Sequence, residues 1–382
     1  MAAPTTIGPG RRTCDRPSHA AAPMNQQAAE NAIRSKKPSF PITEFFRSYL
    51  HQGDRLTQIE ISYDELRHFD AAYPLLDDKG EDTLWRTVVY DPVRQRDLNR
   101  RLSRAYAAIR TDGDFSVMEH LSVERVDFCE FGNSQPFRIR VVNLYNDNYD
   151  HFYVKRADAS RVFGLELEHL LSPNRISYLV HDQTLVEEHI AGVPGDVFLG
   201  GYFQRRSLNR VRMAKEFIKF NERCVLRLLG DMRCYNYVVI ITPDFEDEQY
   251  RVRAIDFDQQ TYEGPLVAYL PHHFENNQPV VELCRHHLNP ASIHQYQMEE
   301  RTAMARRFRI SQVKLNQLFA AMKELPYSEP EKIARLAADL DEFHGTEKFA
   351  GCTTMGGILE THLRVMLANP LRRVRQAAGR GE

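Results

Sequence analysis

At 382 residues the chain exceeds one minimal domain and fits a two-lobed enzyme with an extension. An apolar content of 42% supplies a large core and excludes disorder throughout. Lys and Arg total 50 against 52 Asp and Glu, a formal charge of -2, which excludes a global basic field for nucleic acid and leaves room only for local patches.

Residues 1–40, rich in Ala, Pro, Gln and Ser and without a hydrophobic period, are expected to form a disordered tail. Residues 41–115 are expected to form a helical N-terminal extension. Phe45, Phe46, Tyr49 and Leu50, then Leu98, Leu102, Tyr106 and Ile109, recur at three- and four-residue steps. Arg94, Arg96, Arg100, Arg101 and Arg104 lie between them and read as the wet face. Such an extension would cover a neighbouring lobe or bind a protein partner.

Strand signals begin near Val123. Val126–Phe131, a turn at Gly132-Asn133-Ser134-Gln135-Pro136, and Phe137–Leu144 read as a hairpin, followed by a strand over His151–Arg156. A helix is expected over Ala159–Leu171, and strands over Ile176–His181 and Leu185–Ile190. The order is thus three strands, one helix, two strands. Beyond residue 190 the pattern is mostly helical: Arg210–Leu229, Pro290–Leu325 and Pro330–Leu367. Two strands interrupt it, Tyr237–Thr242 and Tyr250–Ile255, around an acidic turn containing Asp244, Glu246, Asp247 and Glu248. That turn reads as a solvated hairpin tip, with attraction of a cationic acceptor as the alternative. Residues 371–382 carry four arginines and read as a basic tail.

No apolar run approaches the roughly 18 residues of a membrane-spanning helix, and the first 40 residues lack the apolar core of a secretory signal. Six cysteines without a CxxC pair read as reduced thiols of a cytoplasmic protein. Cys284-Arg285-His286-His287 has metal-ligand residue types but no second ligand group at zinc-site spacing, so solvated helix-end histidines are expected there.

Three segments carry the residue types of phosphoryl transfer, which needs a cation on the phosphates, hard oxygens for magnesium, and a carboxylate near the attacking hydroxyl. Lys155 ends the apolar strand Phe152-Tyr153-Val154-Lys155, and the next helix offers Glu166 and Glu168 as ion-pair partners. Asp231-Met232-Arg233-Cys234-Tyr235-Asn236 lies between a helix and a strand, so its Asp and Asn can reach opposite sides of one loop. Asp256, in Ala254-Ile255-Asp256-Phe257-Asp258, ends a buried strand, where an unpaired charge is costly without a cationic partner. The plain alternatives are a strand-edge surface lysine, a helix-capping loop and a turn carboxylate.

Together, Y-V-K-R, a Glu-bearing helix, G-D-M-R-C-Y-N and I-D-F-D, in that order over about residues 120–360, resemble the protein-kinase-like superfamily. In motif style they are nearest the aminoglycoside and choline phosphotransferase branch. The resemblance implies an α+β, bilobed fold, with a kinase-like N-lobe of strands and one helix over residues 116–190 and a mostly helical C-lobe over 191–370. It implies an ATP- and Mg²⁺-dependent phosphotransferase acting on a hydroxyl of a small molecule or protein. Lys155 would bind the α/β-phosphates, held by Glu166 or Glu168. Asp231 would be the catalytic base and Arg233 would touch the γ-phosphate. Asn236 and Asp256 would hold Mg²⁺. Gly132 and Ser134 would form a reduced phosphate loop, and Glu188–Ile190, the hinge, would meet adenine. Asp258 stands where protein kinases have glycine. Transfer of AMP instead of phosphate, or a nucleotide-binding pseudokinase scaffold recruiting a partner through residues 41–115, are the alternatives.

Overall fold

The computed structural model describes residues 37–110, 120–131, 134–245 and 247–378. The fold is mixed α+β. Among the described residues, seven antiparallel strands form one sheet in the order β1-β2-β3-β4-β5-β7-β6. These are β1 (Ala71–Leu76), β2 (Asp82–Val89), β3 (Leu121–Phe128), β4 (Phe137–Asn143), β5 (Tyr149–Arg156), β6 (Tyr178–His181) and β7 (Thr184–Glu188). Between β5 and β6 runs helix α4 (Ala159–Leu171). The expected order of three strands, one helix and two strands is therefore present, with the helix at its expected limits and strand ends shifted by at most five residues.

Residues 41–115 are not purely helical. Helices α1 (Glu44–Gln52), α2 (Tyr63–Leu66) and α3 (Pro92–Arg110) occur there, but β1 and β2 lie between them and extend the sheet past β3. Pro74 in β1 is tolerated because β1 is an edge strand. Leu98, Leu102 and Ile109 on α3 are buried as the periodicity requires, packed in one apolar cluster with Val126, Phe137, Phe152 and Val154 from the sheet. The arginines of α3 divide. Arg96 and Arg100 are exposed, whereas Arg101 reaches Glu65 at 2.6 Å and Arg104 reaches Glu60 at 2.7 Å, pinning α2 and the residues just before it to α3.

Side chains alternate along β5, so Phe152 and Val154 enter that cluster while Tyr153 and Lys155 point to the opposite face. On that face lies α4; a second sheet, β10-β9-β8, is built from β8 (Val193–Pro194), β9 (Tyr237–Pro243) and β10 (Glu248–Ala254). The remaining helices, α5 (Gly195–Gly200), α6 (Arg210–Arg227), α7 (Gln278–His287), α8 (Pro290–Ile310), α9 (Gln312–Glu324), α10 (Pro330–His344) and α11 (Met355–Ala378), follow in chain order. Their buried faces share one core with α1 and α4. No helix among the described residues is long and apolar enough to cross a membrane.

The expected tail over residues 1–40 lies outside the described residues up to 36, but 37–40 are tied down. Asp158, the residue capping α4, accepts from Lys37 Nζ at 2.7 Å and from the Phe40 amide at 2.6 Å. Phe40 packs between Tyr262 and Tyr327. At the other end, α11 continues through 378, and 379–382 lie outside the described residues. His286 and His287 are exposed at the end of α7 while Cys284 is buried, as expected of helix-end histidines. Cys129, Cys224, Cys234, Cys284 and Cys352 are free thiols.

Candidate active site

Two loops meet beneath the Lys155 face of the sheet, stitched by backbone hydrogen bonds. Helix α6 ends at Leu228, whose left-handed φ of 49° turns the chain sharply. The following segment binds the one after β10, through Gly230 N–H to Gln259 O at 3.0 Å and Thr261 N–H to Leu228 O at 2.8 Å. Ile255 N–H donates to Asn236 O at 3.0 Å. The loop bearing Asp231, Arg233 and Asn236 is thereby fixed against the one bearing Asp256 and Asp258.

Asp231 itself is left-handed, at φ 58°. Its Oδ1 lies 2.7 Å from Arg233 Nε, yet the two are not aligned as a hydrogen bond, so both remain unsatisfied buried polar atoms. Burial pushes the Asp231 carboxyl up to about 7, against the pull of Arg233 and with the help of the nearby Asp256 charge. Arg233 also donates to the Tyr235 hydroxyl at 2.6 Å. The Asn236 side-chain N–H donates to Asp231 O at 2.7 Å, which fixes the amide.

Lys155 is buried and its Nζ pairs with Glu187 Oε2 at 2.7 Å. Glu187 lies on β7, opposite Tyr153 in the β5–β7 register, and so shares the Lys155 face. This corrects the expectation of a helix glutamate. Glu166 accepts instead from the Tyr49 and Tyr178 hydroxyls and pairs with Arg55 at 3.1 Å, and Glu168 is engaged by the buried Arg227. The helix contributes Arg161 in their place. Its guanidinium, 2% exposed, grips Glu187 with two bonds, Nε to Oε1 at 2.5 Å and Nη2 to Oε2 at 3.1 Å. Its Nη1 donates to Asp256 at 2.9 Å and to Asp258 at 2.6 Å.

A continuous chain of charge therefore runs Lys155–Glu187–Arg161–Asp256/Asp258, with one more carboxylate than cation. Burial and then the positive Arg161 depress the Lys155 pKa, opposed by Glu187. Burial opposes ionisation of Glu187 and of Asp258, but the adjacent cations outweigh it and hold both below the ordinary carboxylate range. Asp256 goes the other way, raised by burial and by the Asp258 charge. Its side chain nonetheless keeps 34% of its surface exposed, so it is the cluster's carboxylate most open to solvent.

Of the other sequence-predicted residues, Ser134 sits in the turn before β4 and Gly132 lies outside the described residues. Glu188 N–H is already engaged by Ser177 O at 3.0 Å, and Ile190 is buried. Two concavities, of about 520 and 240 Å³, lie elsewhere; the smaller is lined by Tyr49, Arg55, Glu166 and His169. Arg161, Glu187 and Asp258 were given no role by the sequence.

The donor set suits a hard divalent cation. A partly exposed Asp256 carboxylate, the Asn236 amide and the unsatisfied Asp231 Oδ1 lie on the two stitched loops, and the charge chain carries one carboxylate in surplus. Among the described residues no three His, Cys, Asp or Glu side chains form a ready-made cage.

No family model matches the chain, and no curated protein matches it. Among solved structures it is similar to the Neurospora crassa PAN3 pseudokinase at 10% identity, over 76% of this chain and 73% of that one, with a TM-score of 0.18. A likeness of that size fixes neither fold nor chemistry.

Proposed function

We propose that the chain is an ATP- and Mg²⁺-dependent phosphotransferase of bilobed, protein-kinase-like architecture, acting on a hydroxyl of a small molecule or protein in the style of the aminoglycoside and choline phosphotransferases. The observation that carries this reading is the charge chain that joins Lys155, at the end of a sheet strand, to Asp256 on a distant loop. Folding so many charges out of water is costly, and a structural role alone would be met as well by apolar packing.

In this reading Asp256 and the Asn236 oxygen hold Mg²⁺, which neutralises phosphate charge when bound. Lys155, positioned by Glu187, binds phosphate oxygens from the sheet side. Asp231, with a pKa near neutrality, accepts the proton of the attacking hydroxyl, and Arg233 orients its carboxylate. The test is thermal stabilisation by ATP with and without Mg²⁺, followed by transfer of γ-labelled phosphate to metabolites and lysate proteins. Absence of both a Mg²⁺-dependent shift and transfer refutes the reading. Label carried from the α-phosphate indicates AMP transfer instead. A nucleotide-binding scaffold is the second reading, favoured by the engagement of Asp256 and Asp258 by Arg161, and is recognised by a shift without transfer.

A further inference from the structure

Arg161 has five N–H donors and divides them unequally. Nε and Nη2 form a bidentate pair with Glu187, which fixes the plane of the guanidinium. Nη1 is shared between two aspartates whose circumstances differ. Asp258 is the closer at 2.6 Å, with a side chain only 10% exposed, whereas Asp256 is at 2.9 Å with 34% exposed. The Asp258 carboxylate is therefore held from within, and the Asp256 carboxylate lies at the open end of the bond. If Asp256 swung away, Arg161 would keep three of its four bonds and no buried charge would be stranded. If Asp258 left instead, an enclosed carboxylate would lose its closest cation.

We propose that Arg161 is the site's own exchangeable counter-cation, holding Asp256 in place until a divalent metal takes that carboxylate from it. This rests on the assignment of Asp256 to a metal in the reading above. Arg161 is then a positioning residue that sets the metal threshold. Metal alone must displace a guanidinium and binds weakly, whereas metal arriving with phosphate oxygens of its own binds with extra ligands. Glu187 anchors Arg161 throughout, so the exchange leaves Lys155 where it is.

The test uses Mn²⁺ as the probe, without nucleotide, followed by electron paramagnetic resonance of the free ion, with Mg²⁺ competition to confirm the class of site. In Arg161→Gln the carboxylates lose their rival cation, and Mn²⁺ should bind about tenfold more tightly than to the wild type. Arg161→Lys keeps one charge but cannot span Glu187 and both aspartates, and should tighten binding by about threefold, a smaller share of the same electrostatic gain. Should Arg161→Gln not fold, Arg161→Lys decides alone. Unchanged or weaker Mn²⁺ binding in the folded variant overturns the proposal, since a purely structural arginine would lower the melting temperature without tightening metal. Adding Asp256→Asn must remove the gain, and a gain that survives it also overturns the proposal. Stabilisation of the wild type by Mg²⁺ and ATP is measured alongside, so that failure of the phosphotransferase reading is seen separately from failure of the exchange.

Discussion

Glu187 is the joint of the charge chain, and its removal has a magnitude that follows from its contacts. In Glu187→Ala, Lys155 loses its ion-pair partner and Arg161 loses two of its four bonds, all in a place almost closed to water. Breaking a buried ion pair by deleting one partner costs about 3–5 kcal/mol. One feature puts this case at the lower end: Arg161 keeps both aspartates. A loss of about 3 kcal/mol is therefore expected. At about 2.1 cal/mol/K of unfolding entropy per residue, the whole chain has roughly 0.8 kcal/mol/K, and the melting temperature should fall by about 4 °C. Urea titration gives the free energy and calorimetry the temperature. The double variant Lys155→Met/Glu187→Met should recover part of the loss, because it removes both charges together. A single variant within about 0.5 kcal/mol of the wild type, the range of ordinary surface substitutions, would refute the buried linkage.

Asp256→Ala should abolish Mg²⁺-dependent stabilisation by ATP, read by thermal shift, because the proposed metal loses its partly exposed carboxylate. Asp231→Asn should leave ATP affinity near that of the wild type and lower turnover about 100-fold or more, as seen when a general base is lost. The same substitution has a pH signature. The folded-state pKa of Asp231 is raised to about 7, so its contribution to stability is complete below the ordinary carboxylate value and is lost as pH rises through about 7. Relative to Asp231→Asn, the wild type should therefore lose stability between about pH 4 and 7, by at most about 4 kcal/mol in urea titrations. Gly195→Ala should cost about 1–3 kcal/mol by overpacking, because its Cβ would fall 2.2 Å from Cys234 O and 2.4 Å from the Tyr237 ring, displacing the turn that carries Asn236. A normal melting temperature for that variant would show that the turn yields freely.

The strand ending at Lys155 was legible from its apolar stretch Phe152–Val154, the one before Asp256 from the alternation of Tyr250, Val252 and Ala254 with arginines, and helix Ala159–Leu171 was found at its observed limits. Its partner choice was not legible. Every residue of that helix except His169 is buried, so no polar face exists to show which side meets Lys155. Glu166 and Glu168 satisfied the expectation of a carboxylate on the helix, but Glu166 points to Tyr49 and Arg55 and Glu168 to Arg227. Glu187 was hidden inside an apolar strand segment, and only the β5–β7 register brings it to Lys155. Strands β1 and β2 were missed because the helical periods on either side were extended across them. Trp85, Thr87, Val88 and Val89 suit a strand, but most of β2 is exposed or only half-buried, and its inward positions include Thr83 and Thr87, so no apolar/polar alternation marks it.

The anchoring of Lys37 and Phe40 bears on how the chain can be trimmed. These two residues hold the start of the helix that carries Arg161, one by charge on Asp158 and one as an aromatic plug between Tyr262 and Tyr327. A shortened chain beginning at residue 41, a natural choice from composition alone, would cut both moorings and loosen the helix three residues before its guanidinium. Starting at or before residue 36 keeps the peg and the plug, and with them the alignment of the charges farther in.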